Sequence, residues 1–122
     1  MLQISKTFHF TFTKKMENII KNSEVFIREN LINYNDGAIV SRIIMKQNGG
    51  NLSVFAFDKN QSLSEHTAPF DAMIEILDGN AEIKINKISN FLKKGECIIM
   101  PANVPHAVNA IERFKMALTM IK

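Results

Sequence analysis

At 122 residues, 46% of them apolar and 22% charged, the chain has the size of one domain with a core of its own. The net charge of +3 invites a nucleic-acid hypothesis, but its distribution along the chain argues against one. Residues 1–15 hold Lys6, Lys14 and Lys15 and no acid, while twelve basic and twelve acidic side chains cancel over residues 16–122, leaving no basic stripe for a folded face. No stretch approaches the roughly 18 uninterrupted apolar residues of a membrane span, and the alternating N-terminus lacks the apolar centre of a secretory signal. The single cysteine, Cys97, excludes an internal disulfide and fits a reducing compartment, so a cytoplasmic protein is expected. Its place in the run CIIM suggests a buried, inert thiol.

Residues 7–13, TFHFTFT, put Phe8, Phe10 and Phe12 on one side at strand spacing. Two readings stand for this segment: a strand added to its own sheet, or one packed on a neighbouring subunit. His9 within it reads as structural or interfacial. Met16, Ile19 and Ile20 share one helical face, Asn22 to Phe26 is extended, Glu29 to Tyr34 makes one helical turn, and Asn35-Asp36-Gly37 is a tight turn. Residues 1–36 are thus expected to form a short strand and helix extension, packed on the rest of the fold or on a partner.

From Gly37 the pattern changes to short strands. AIVSRIIM, LSVFAF, DAMIEIL, AEIKI, SNFL, ECIIM, HAVNAI and FKMALTMI follow one another. Turn residues separate them, among them Asn48-Gly49-Gly50, a loop at Asp58 to Ser62, and Asp78-Gly79, which reads as a hairpin. Strands at this regular spacing indicate an all-β sandwich or barrel over residues 37–122.

Within this frame, GECIIMPANVPH (Gly95 to His106) breaks at Pro101 and Pro105 and delivers His106 to the start of a strand. Proline cannot donate to a ladder, so the two prolines bracket a loop. His66 stands forty residues earlier, just ahead of another strand. The two histidines are expected to share a pocket, where neutral imidazoles could orient a ligand or exchange protons near neutral pH.

The segment from His66 to Gly79, HTAPFDAMIEILDG, resembles the first motif of the cupin superfamily: His-x-His, three or four residues, Glu, six residues, Gly. The segment from Gly95 to His106 resembles the second: Gly, five residues, Pro-x-Gly, two residues, His. The resemblance covers roughly residues 37–122. It implies a double-stranded β-helix, or jelly-roll barrel, of six to eight strands that binds small molecules, commonly as a homodimer and often through a divalent metal. Ala68 and Ala72 stand where the motif has its second histidine and its glutamate, and Asn103 replaces a glycine. Asparagine tolerates the positive φ of such a turn. The ligand set that the resemblance implies for a divalent transition metal is thereby reduced to His66 and His106. Asp71 and Glu65 are each one residue off the inward face, and a catalytic zinc or non-haem iron site takes three protein ligands.

Strand alternation turns Ile74 and Ile76 inward with Ala72. Phe55 shares one face with Phe57, and Met116, Leu118 and Met120 share another. The expected function is therefore small-molecule binding in an apolar barrel. His66 and His106 serve as polar anchors, and Ala68, Ala72, Ile74 and Phe55 contribute to the pocket. A metal-dependent enzyme of isomerase, epimerase or dioxygenase type with a reduced ligand set is the alternative, and a sensor or interaction module the third class. A homodimer is expected because an open jelly roll has edge strands to protect, with the FHFTF strand as the candidate. Deleting residues 1–15 should then lower the dimer fraction in sedimentation; an unchanged dimer would sink the idea.

Overall fold

Alternating apolar residues in short runs produce eight strands in the structure, a computed structural model that describes residues 19–122. They are β1 (Ile39–Gln47), β2 (Gly50–Phe57), β3 (Ser62–His66), β4 (Asp71–Ile85), β5 (Ile88–Lys93), β6 (Cys97–Met100), β7 (His106–Asn109) and β8 (Phe114–Ile121), preceded by one 3-10 turn at Arg28–Leu31. The FHFTF strand, His9 and the Met16 position lie outside the described residues. No helix among the described residues is long and apolar enough to cross a membrane.

The strand order is β1-β2-β8-β4-β7-β3, with β5 and β6 also pairing β4. The long strand β4 is shared by two facing sheets. Its first half, Asp71 to Gly79, pairs antiparallel with β8 and, from Ala72 to Glu75, with β6. Its second half pairs with β5 and with β7. This is the jelly-roll arrangement expected of the sequence.

The expected hairpin at Asp78-Gly79 is instead a bulge within β4. The register against β8 slips between Ile76 and Asp78, so Leu77 is the inserted residue. Before it Ala72, Ile74 and Ile76 face the core; after it Ala81 and Ile83 do, and all five belong to one buried cluster. The extra residue switches the inward parity from even to odd. Leu77 itself is buried on the opposite side of the sheet, with Ile32, Val40, Val54, Ala56 and Ala117. Gly79 has φ +73° and lies so close to β8 that a Cβ would collide with the Arg113 carbonyl oxygen. Asp-Gly carries the same local signal for a bulge as for a hairpin, because both need a positive φ. The two-residue hairpin sits further on, at Asn86 (φ 51°) and Lys87 (φ 70°), with Ile85 paired to Ile88 across it. Two positive φ values are the signature of a type I′ turn.

Inside the barrel Phe57 stacks on Phe114 with ring centroids 4.5 Å apart, and Phe55 lies tilted 6.3 Å from Phe57. Burying Ile74, Ile76 and Ile83 completely stabilises the fold by about 1.5–3 kcal/mol each. The outer cluster is covered by the segment from the 3-10 turn to Ala38. Tyr34 donates its hydroxyl to Asp78 at 2.6 Å while Arg113 and Lys115 lie 5.1 and 5.3 Å from its ring centroid. Burial and the Asp78 hydrogen bond raise the Tyr34 pKa well above its usual range. Arg28 pairs with Glu75 at 2.5 Å, and Lys115 donates to the Glu29 carbonyl at 2.8 Å. Arg113 bridges Asp58 and Asp36 at 2.7 Å each and, with the Gly37 amide, holds the Asp58 carboxyl down at about 2.

Beyond that segment the outer face of the first sheet is exposed among the described residues. Cross-strand pairing aligns Met45, Leu52, Thr119, Met73 and Ile99 in one row across all five strands, and Ile99 is 63% exposed. Cys97 belongs to this face. The expectation of a buried thiol fails here, because β6 alternates: Ile98 and Met100 turn inward while Cys97 and Ile99 turn to solvent. Gly79→Ala should destabilise the protein by about 2 kcal/mol or more, read as a lowered urea midpoint. A midpoint within error of the parent would refute the bulge as described.

Candidate functional site

His66 and His106 meet at the register between β3 and β7, where they are directly paired. His66 was expected just ahead of a strand, but it ends β3, a strand that the polar sequence SLSEH does not advertise. Between Leu63 and His66 the β3 register slips by one residue against β7. In a regular strand residues three apart face opposite sides; the slip brings both Leu63 and His66 to the cavity wall. The imidazole centroids are 4.4 Å apart with planes inclined at 66°.

Both rings are oriented by backbone carbonyls two residues earlier. His66 Nδ1 lies 2.8 Å from the Ser64 oxygen and His106 Nδ1 3.2 Å from the Val104 oxygen. A carbonyl oxygen can only accept, so each Nδ1 carries the proton in the neutral ring and each Nε2 is left as an acceptor. His66 is exposed at the mouth, whereas His106 is only 7% exposed. Burial holds the His106 pKa below its ordinary value; the Val104 carbonyl opposes that shift and the neighbouring His66 adds to it.

The loop that delivers His106 is stapled from two sides. Asn103, at φ 63°, donates its amide to the Ala68 carbonyl at 2.7 Å, and the Asn86 amide donates to the Pro105 carbonyl at 2.8 Å. Asp71 Oδ1 accepts from the Ala102 amide at 2.8 Å. Asparagine therefore does take the left-handed turn position, and Asp71 is engaged with the loop rather than the cavity. Glu65 turns away to Lys87, 3.4 Å distant.

The histidines border a cavity of about 240 Å³ whose remaining walls are Leu63, Ser64, Ile74, Met100, Val108, Met116 and Leu118. Of the residues expected here, His66, His106 and Ile74 line it. Phe55 and Ala72 belong to the same buried cluster without lining the cavity, and Ala68 contributes its carbonyl to the loop. Val108, two residues from His106 on one strand face, was legible from alternation; Leu63 and Ser64 were not, because their strand was not. Among the described residues no carboxylate, lysine or arginine lines the cavity. No group of three or more His, Cys, Asp or Glu side chains converges among the described residues. Two imidazoles therefore make an incomplete set for the three-ligand metal centres that the fold often carries.

The His106 shift has a consequence for stability. Because the folded pKa lies below the ordinary 6.5, the unfolded chain takes up a proton in the range where folded His106 does not. Stability should thus fall as pH drops below about 6.5 and level off once the pH is below the folded pKa. Asp58 and Glu82, both lowered, add their losses only near and below the usual carboxylate range of about 4. Urea unfolding of His106→Asn should lack the upper part of this pH dependence; an unchanged profile would show that His106 is not its source.

No protein-family model matches the chain, and no curated protein matches it. Among solved structures, a conserved protein of unknown function from Streptococcus pyogenes is similar at 34% identity and a TM-score of 0.80, covering 84% of this chain and 90% of that one. A cupin 2 conserved barrel domain protein from Leptotrichia buccalis is similar at 36% identity and a TM-score of 0.75, over 77% of this chain. The match spans 46% of that protein, about half its length. A cupin superfamily protein from Desulfitobacterium hafniense shares the fold at 24% identity and a TM-score of 0.76, covering 85% and 94% of the two chains. With the jelly-roll topology and the paired histidines at both motif positions, these likenesses lead to one conclusion: the chain belongs to the cupin superfamily.

Proposed function

We propose that this cupin binds a small organic molecule inside its barrel, with His66 and His106 as the polar anchors of an otherwise apolar site. The observation that carries this reading is the cavity itself: about 240 Å³, enclosed mainly by aliphatic and thioether side chains, with two imidazoles at one end. Concave apolar sites with few polar groups are the usual form of ligand pockets. A dry cavity of about 150 Å³ already accepts benzene, so this one suits a ring with one or two substituents. Ala72 in place of the motif glutamate removes a charge from this end of the barrel, and Ala68 takes away a further imidazole.

The second reading is a metal-dependent enzyme of isomerase, epimerase or dioxygenase type with a reduced ligand set. It is favoured by one observation, that both Nδ1 atoms are held by carbonyls, which leaves two Nε2 atoms free in the manner of ligating histidines. Water or a substrate would have to complete the coordination.

Met100 and Met116 line the cavity whereas Met45 and Met73 lie outside it, so labelled methionine methyl groups report occupancy. Single-ring fragments should shift the Met100 and Met116 signals and leave Met45 unmoved. Shifts confined to Met45 and Met73 would place binding on the outer face and overturn the proposal. Elemental analysis of untagged protein beside the His66→Ala/His106→Ala variant separates the second reading. Near-stoichiometric metal lost in the variant would establish it.

A further inference from the structure

The orientation of the two imidazoles restricts what head group the cavity can accept. We propose that the site selects ligands carrying a neutral hydrogen-bond donor, a hydroxyl or amino group on an apolar ring or chain, and discriminates against carboxylates. This rests on the cavity being a ligand site and adds the chemical class of the ligand.

Both imidazole donors are already committed. His66 Nδ1–H is spent on the Ser64 carbonyl and His106 Nδ1–H on the Val104 carbonyl. In the neutral rings each Nε2 then offers a lone pair and no proton. The two rings, with centroids 4.4 Å apart, border the same cavity, so a small head group placed between them is offered acceptors and no imidazole donor. A hydroxyl can donate to one of them, and a primary amino group has two hydrogens for the pair. A carboxylate has no proton to give and would face lone pair against lone pair. Among the described residues nothing in the wall offsets its charge, since neither lysine nor arginine lines the cavity. An anion would also leave water for a surface of Leu63, Ile74, Met100, Val108, Met116 and Leu118, a transfer that costs several kcal/mol unless paired. Ser64, the one remaining polar side chain on the wall, supplies a single hydroxyl and no charge.

The geometry also explains why the selection is for a donor and not merely for an apolar body. An apolar ligand without a donor would bury the His106 acceptor unpaired, and an unsatisfied buried polar group is penalised by about 1–3 kcal/mol. A donor removes that penalty.

Phenol, toluene and benzoate share one ring and differ at one substituent, so they serve as probes. Titrations of the full-length protein at neutral pH, with EDTA present, are followed through the Met100 and Met116 methyl signals. Phenol should bind with a Kd about tenfold below that of toluene, aniline should resemble phenol, and benzoate should not saturate. In His106→Leu, which removes the buried acceptor, and in the His66→Leu/His106→Leu double variant, the advantage of phenol over toluene should vanish or invert while toluene binding is retained. Toluene binding as tightly as phenol in the parent protein would overturn the donor selection and leave the cavity site standing. So would benzoate binding most tightly. Failure of all three probes to move the two methyl signals would remove both the cavity reading and this one. A phenol preference that survives both leucine variants would also overturn the assignment, because the selectivity would then arise elsewhere on the wall.

Discussion

One inserted residue in β4 determines how the barrel is built. A strand shared by two facing sheets must present apolar side chains to the interior along its whole length, yet a regular pleat that bends from one sheet into the other drifts out of phase with the core. Leu77 resolves this by shifting the inward parity, so that Ile74 and Ile76 on one side of the bulge and Ala81 and Ile83 on the other contribute to the same interior. The displaced Leu77 side chain is not wasted. It anchors the outer cluster beneath Ile32 and the segment that carries Tyr34, which ties the chain entering the barrel to the strand that organises it. Gly79 completes the device, because a side chain there would meet the backbone of β8.

A second slip, in β3, does for the site what the first does for the core. It brings Leu63 and His66 to one wall and supplies, through Ser64, the carbonyl that orients the His66 ring. The Pro101 to Pro105 loop repeats the arrangement on the neighbouring strand through Val104. The result is two imidazoles with the same polarity, donors turned to the backbone and acceptors left over, at the end of an apolar chamber. Asp71, the nearest carboxylate in sequence to the vacated glutamate position, is employed in fastening that loop. The chemistry of the site therefore follows from backbone carbonyls as much as from side chains.

The all-β class, the regular strands, the Pro loop and the pairing of the two histidines were legible because each rests on local pattern or on residue types with few alternatives. Asn103 at a positive φ was legible for the same reason. What escaped is non-local. Asp78-Gly79 announces a backbone conformation but not whether the chain reverses afterwards; that depends on β8 lying alongside. Asn86-Lys87, the turn that does reverse the chain, hides behind a lysine. SLSEH carries one apolar residue in five and becomes a strand only because β7 offers it hydrogen bonds. CIIM looks uniformly apolar, and its alternation between inside and outside appears only once β6 is seen to lie flat against β4 with its far side open. That Phe55 and Ala72 are buried with the lining residues yet form no part of the cavity wall likewise escapes period-two patterning, which gives a face and not a position along the barrel.

The two anchors stand on strands of unequal security. β7 is held between β4 and β3, with pairings on both sides, whereas among the described residues β3 ends the sheet and is joined to its neighbour at Ser62, Leu63 and His66. Local opening follows the weakest cooperative unit of a fold. Peeling β3 outward would carry His66 away from a stationary His106 and uncover the chamber without disturbing β4 or the Phe57–Phe114 stack. The His66 side is then the door and the His106 side the jamb. Exchange of a bound molecule with solvent would be timed by the fraying of one short strand rather than by the stability of the barrel as a whole.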